Sequence, residues 1–177
     1  MPPSYEMPRI AGVATGSIMR LRGLQAFLPE FDAFKRLYPG RGRGLTATLG
    51  WGNKPTARSA RRIAHRRGIP YVAAEDGFIR SWGPARLGYA PCSLVVDYSG
   101  IYYDAHRPSD LETLLRENTL TAHETSRAAQ CMARLRHSRL SKYNHAPDQT
   151  LPDSERERVL VVDQTRGDAS IAGGRAD

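Results

Sequence analysis

The sequence predicts an α/β protein with a mainly parallel sheet. Three observations carry this. Apolar strand-like runs alternate with helix-like segments along the chain. Leu45 to Ala74 reads as strand, helix, strand in roughly thirty residues, the size of a right-handed parallel crossover. Val159 to Val162 reads as a buried strand running straight into a polar, acidic loop, the kind of strand end that carries ligands in α/β proteins.

Taken in order, Ile10 to Thr15 is a weak first strand. Met19 to Leu28 is predicted to be a helix stopped by Pro29, and Phe31 to Tyr38 a second short helix. Pro39 to Gly44 alternates Gly and Arg and reads as a loop. Leu45 to Trp51 is a strand, and Pro55 opens a helix to Arg67, where a missing N–H costs nothing. Its apolar stripe is Ala57, Ala60, Ile63 and Ala64, and Gly68 ends it before a strand from Ile69 to Ala74. Ser93 to Val96 and Ile101 to Tyr103 read as short strands around a turn. Ser109-Asp110-Leu111-Glu112 and Thr121-Ala122-His123-Glu124 are capping boxes. The second opens a helix to about Arg139, with Ala128, Cys131, Met132 and Leu135 expected to face the core. Pro147 to Glu157 reads as a polar linker.

Composition narrows the function. No apolar run approaches the ~20 residues of a membrane helix, and Met1 to Met7 lacks the layout of a signal peptide. Cys92 and Cys131 have no paired spacing, so a reducing compartment is expected. The histidines do not cluster and no His-x-x-x-His pair exists, so no metal is expected. The formal net charge is +8, and Lys35, Lys54 and Lys142 are the only lysines, so arginine supplies the surplus. Arginine pairs bidentately with phosphate and carboxylate, which fits an anionic ligand or surface. The basic-aromatic interleaving of an RNA-binding module is absent, which ranks nucleic acid last among partners.

Five segments collect residues that bear on chemistry. Gly50-Trp51-Gly52-Asn53-Lys54-Pro55 joins a strand to a helix start, where glycines admit close backbone approach and the helix end favours an anion. Glu75-Asp76-Gly77-Phe78-Ile79-Arg80-Ser81 follows a strand. Its adjacent carboxylates repel, which suits a general base, and Arg80 either neutralises them or holds an acidic substrate. Asp97 to Asp104 reads most simply as a turn and short hairpin with packed tyrosines, and Lys142 in Ser141-Lys142-Tyr143-Asn144 as a cation pairing with a helix end. Asp163-Gln164-Thr165-Arg166-Gly167-Asp168-Ala169-Ser170 is the richest, with more acidic and polar groups than a turn requires.

In this order, these segments together with Ser93-Leu94-Val95-Val96-Asp97 and Gly100-Ile101-Tyr102-Tyr103-Asp104 resemble the capsule polysaccharide biosynthesis proteins of the KpsC/LipA type, from about Leu45 to Ile171. The resemblance implies one Rossmann-like half of a two-domain, GT-B-like module: residues 1–147 as an acceptor-side domain, and 148–177 as linker, last strand and a truncated tail opening the second half. It implies a retaining β-Kdo transferase that builds a Kdo linker on phosphatidylglycerol from CMP-Kdo, with no further cofactor. Asp168 matches the family's nucleophile, and Glu75 and Asp76 its acidic catalytic loop. Arg80, Gln164, Arg166, Ser170, Lys142, Gly52, Asn53 and Lys54 are the candidate substrate contacts. The implied partners are the lipid-linked acceptor and capsule assembly and export proteins, at the cytoplasmic side of the inner membrane. The family's later nucleotide-holding motifs are absent, so the chain is expected to be inactive alone. The alternative is a non-catalytic interaction module of the capsule machinery.

Overall fold

The computed structural model describes residues 9–38, 43–117, 119–147, 152–153, 155–162, 166 and 171. Its centre is a five-stranded sheet in the order β2-β1-β3-β4-β5. The strands are β1 (Ile10–Val13), β2 (Ala33–Arg36), β3 (Ala47–Trp51), β4 (Tyr71–Asp76) and β5 (Leu94–Asp97). The first four run parallel, and β5 alone is antiparallel, against β4. The predicted mainly parallel sheet is therefore present.

The inner strands read as short apolar runs because both faces are covered. Ala11, Val13, Ala47, Leu49, Val72 and Ala74 are buried, and Ile18, Leu28 and Phe31 pack against them. The helix α3 (Arg58–Arg67) follows a 3-10 turn at Pro55–Ala57. Ala57, Ala60 and Ala64 bury a small-residue stripe, and the Thr48 hydroxyl donates to the Ala60 carbonyl at 3.1 Å. Gly68 ends the helix in the left-handed region at φ 62°.

The N-terminal third departs from expectation. In place of one helix from Met19 there are two short turns of helix, α1 (Gly16–Met19) and α2 (Leu24–Phe27), separated at Gly23 with φ 74°. The predicted helix at Phe31–Tyr38 is strand β2. The i, i+3 spacing of Phe31 and Phe34 is helical, but over so short a run the period does not bind the chain. Pairing decides: Asp32 exchanges bonds with Arg9, carboxylate to N–H at 2.7 Å and N–H to carbonyl at 2.8 Å, and this sets the register Ile10 to Ala33.

Both capping boxes form, opening α4 (Asp110–Glu117) and α5 (Ala122–His137). The expected core stripe of α5 is not buried. Ala128, Cys131 and Met132 are exposed and Leu135 half-exposed, because no other described element covers that helix. The second arm of the expected hairpin, Ile101 to Tyr103, is a loop. The Asp97 carboxylate instead takes the N–H groups of Ser99, Gly100 and Asp110, drawing the chain from β5 to the start of α4. Val159 to Val162 is neither strand nor buried: these residues are 73–87% exposed. A strand needs a neighbouring strand's hydrogen bonds and a covering layer, and no described part of the chain supplies either.

Candidate functional site

The parallel pairing of β3 with β4 creates the site. Trp51 lies opposite Ala74, so the loop Gly52-Asn53-Lys54 emerges beside Glu75. Gly52 extends the ladder by donating to the Ala74 carbonyl at 3.0 Å. It is held at φ +37°, and a Cβ there would meet the Tyr103 hydroxyl at 2.0 Å and Glu75 Oε1 at 2.7 Å. Only glycine lets the backbone pass this close to the carboxylate. The Gly52 carbonyl accepts from the Tyr71 hydroxyl at 2.6 Å and from Arg61 Nη1 at 3.1 Å, which fixes the loop from beneath.

Glu75 is mostly buried, with 12% of its side-chain surface exposed. Lys54 Nζ lies 3.6 Å from its Oε1, and the Tyr103 hydroxyl donates to the same oxygen at 3.3 Å. Tyr103 also accepts from the Asn53 N–H at 2.9 Å, and Asn53 Nδ2 donates to Asp104 Oδ2 at 2.8 Å. Lys54 sits over the Trp51 ring, 5.6 Å from its centroid, and remains largely in solvent. The result is a carboxylate at the open end of the sheet, with one cation and one phenol on the same oxygen. A carboxylate so placed can accept a proton from a hydroxyl brought to its other oxygen.

Burial pushes the Tyr103 phenol above its usual range, and the Glu75 carboxylate pushes the same way. Tyr71 is raised from 10.0 to about 12, by burial first, with Arg61 opposing. An unfolded chain releases the Tyr71 proton near 10 and the folded chain near 12. Its contribution to stability is therefore complete below pH 10 and drains away as pH rises toward 12. A spectrophotometric phenol titration should show a late-ionising tyrosine that Tyr71→Phe removes; an unchanged curve would contradict the packing described.

Asp76 belongs to a different cluster. Neighbours along a strand point to opposite faces, so the two carboxylates do not share a site as the sequence suggested. Asp76 Oδ1 lies 2.7 Å from Arg80 Nε; the N–H is not aligned on that oxygen, so the contact is coulombic rather than a directed bond. Arg80 is 4% exposed, and its Nη1 donates to Ser81 Oγ at 2.7 Å and to the carbonyls of Tyr89 at 3.0 Å and Gly83 at 3.4 Å. Little of its surface is left for a substrate. The segment Ser141-Lys142-Tyr143-Asn144 clamps this loop through its backbone. The Lys142 carbonyl accepts from the N–H of Arg80 at 3.2 Å and of Ser81 at 3.4 Å, and Asn144 donates to the Trp82 carbonyl at 2.6 Å. The Lys142 ammonium lies over the Tyr143 ring at 5.8 Å.

Of the predicted site residues, the fold thus gathers Gly52, Asn53, Lys54 and Glu75 at one place, and Asp76, Arg80 and the Lys142 backbone at another. Arg166 is exposed, and Gln164, Asp168 and Ser170 lie outside the described residues. The sequence reading missed Tyr103, Asp104, Tyr71 and Arg61. The Tyr-Tyr-Asp triplet at 102–104 is the available signal, and by itself it reads as packing. Among the described residues no helix is long and apolar enough to cross a membrane.

Residues 46–155 match the capsule polysaccharide biosynthesis protein family. The capsule polysaccharide modification protein LipA of Neisseria meningitidis serogroup A is 42% identical over 175 residues, covering 94% of this chain and 24% of LipA. The lipopolysaccharide-processing protein LpsZ of Rhizobium meliloti is 46% identical over 124 residues, 67% of this chain and 28% of LpsZ. The chain thus spans about a quarter of the length of the curated relatives it matches. Among solved structures, the β-Kdo 2,4 transferase of Thermosulfurimonas dismutans KpsC superposes over 98% of this chain and 54% of its own, with TM-score 0.81 and 37% identity. The β-Kdo 2,7 transferase of the same KpsC gives TM-score 0.62 at 26% identity, over 93% of this chain and 51% of its own. With the family's match covering most of the sheet and the loops at its open end, the chain belongs to the capsule polysaccharide biosynthesis proteins of the LipA/KpsC type.

Proposed function

We propose that this chain is the acceptor-side half of a retaining β-Kdo transferase of capsule biosynthesis. The observation that carries the reading is the match over 98% of the chain to about half of the KpsC β-Kdo 2,4 transferase. The Glu75 cluster supports it by supplying a base at the open sheet end.

In this reading the reaction is a double displacement. The Asp168 carboxylate bonds to the anomeric carbon of Kdo as the bond to CMP breaks, and CMP leaves with the electron pair. The acceptor hydroxyl then attacks that carbon, its proton passes to Glu75, and Asp168 is released. Two inversions retain configuration. Lys54 faces the carboxylate of the acceptor sugar, and Gly52 and Asn53 shape the loop that receives it. Gln164, Arg166 and Ser170 contact the donor beside Asp168, and Lys142 is a further anion contact. Asp76 and Arg80 act as positioning residues, bracing the loop that follows Glu75. Residues 1–147 form the Rossmann-like half and 148–177 lead into the donor side. The +8 net charge favours an anionic inner-membrane face carrying Kdo on phosphatidylglycerol, where capsule assembly and export proteins are the further partners.

The test offers the chain radiolabelled CMP-Kdo and a Kdo-phosphatidylglycerol acceptor. Acceptor binding without sugar transfer is expected. Transfer by the chain alone overturns the division between halves, and failure to bind acceptor overturns the acceptor-side assignment. A non-catalytic docking role is the second reading, favoured by the exposed apolar residues Val159 to Val162 and Met132. It requires acceptor binding to be absent while a capsule protein is bound.

A further inference from the structure

Three aromatic rings lead from solvent to Glu75. Phe78 is 56% exposed, and its ring centroid lies 5.2 Å from that of Tyr102 at a tilt of 56°. Tyr102 meets Tyr103 edge-on at 5.4 Å, and the Tyr103 hydroxyl reaches Glu75 Oε1 at 3.3 Å. With half-buried Tyr102 packed against it, Phe78 presents a joined aromatic face rather than a single exposed ring. Its rim is polar and charged: Lys54, Asn53 and Asp104 surround the inner end. Apolar faces next to such a rim fit a ligand that is itself two-faced. A pyranose is one, since its C–H groups present weak positive charge to the negative face of a ring while its hydroxyls reach the rim. An acyl chain would use the rings and bring no polar group to the rim. Lys54 is paired with Glu75 at 3.6 Å yet 57% exposed, so its outer side is open to the carboxylate of a sugar acid.

We propose that Phe78 and Tyr102 form a stacking platform for an acidic pyranose, holding one of its hydroxyls, or that of the residue bonded to it, toward Glu75. This deepens the acceptor-side reading and rests on it. The close approach of the backbone at Gly77 supports the placement. A Cβ there would fall 1.9 Å from Ser93 Oγ and 2.9 Å from the Ser93 backbone carbon, so the chain leaving β4 passes flush against the chain entering β5 and sets Phe78 beside Tyr102.

The probe is the methyl β-glycoside of Kdo, titrated into the full chain and followed by ligand saturation-transfer and aromatic proton shifts. Methyl β-glucoside is the neutral comparison. Contact from the sugar's ring protons to Phe78 is expected. Phe78→Ala should weaken binding about tenfold, the size of one lost ring stack, and Phe78→Trp should restore it. Lys54→Met should weaken the Kdo glycoside and leave the glucoside unchanged. If Phe78→Ala, folded by circular dichroism, binds the Kdo glycoside as tightly as the parent, the platform is overturned while the acceptor-side reading stands. If the glucoside binds as tightly as the Kdo glycoside, the acid selectivity is overturned. The acceptor-side reading fails separately, if the Kdo-phosphatidylglycerol acceptor does not bind.

Discussion

Replacing Glu75 by Gln should lower sugar transfer by about 10²- to 10⁴-fold, the usual contribution of a positioned general base. The measurement needs a complete module, such as a hybrid in which this chain takes the place of the matching half of KpsC. Gln keeps the volume and the acceptor oxygen that faces Lys54 and Tyr103, at 3.6 and 3.3 Å in the parent. It cannot take the acceptor's proton. The loss should therefore fall on kcat, with KM for the acceptor little changed, because the loop, the phenol and the lysine remain in place. Glu75→Asp should recover part of the rate, since it restores a base one methylene short. Equal kcat for the parent and the Gln variant would remove Glu75 from the chemistry. A rise in KM alone would make it a binding group instead.

Arg80→Ala should destabilise the fold by about 3 kcal/mol, the lower end of what breaking a buried ion pair costs. The guanidinium is 4% exposed and holds Asp76, Ser81 and the carbonyls of Gly83 and Tyr89 together. Its removal takes this donor from the Tyr89 carbonyl and the cation from Asp76, while the Gly83 carbonyl keeps the Ser81 hydroxyl at 2.6 Å. Asp76 keeps 29% of its side-chain surface in water, which softens the loss and sets the lower end. Urea unfolding of the parent, Arg80→Ala, Asp76→Ala and the double variant would measure it. The double variant should cost well under the sum of the singles, because each single strands the other's partner. A cost near zero for Arg80→Ala would return Arg80 to the list of substrate contacts.

These two expectations differ in how far the sequence could have reached them. Glu75 was legible: a carboxylate just past an apolar run, with Gly-rich and Lys-bearing loops on the preceding strand, marks the open end of a parallel sheet. So were α3 and the two capping boxes, because a cap or a Gly stop acts over three or four residues and its partners are written next to it. The role of Arg80 was not legible. Its partners reach from Asp76 to Tyr89, and the Lys142 carbonyl that holds its backbone lies more than sixty residues on. Tyr103 was missed for the same reason, since it touches Glu75 across 28 residues.

By itself, then, the sequence determined the α/β class, the crossover from β3 to β4, the starts of α3, α4 and α5 and the family to which the chain belongs. Tertiary structure alone decided that Ala33 to Arg36 would pair as a strand, that Asp76 and Glu75 would take separate cations, and that α5 and Val159 to Val162 would stand uncovered. Local backbone preferences depend on neighbours along the chain, while burial and pairing depend on which surfaces meet across it. An apolar run announces that it can be buried, and only the fold supplies the surface that buries it.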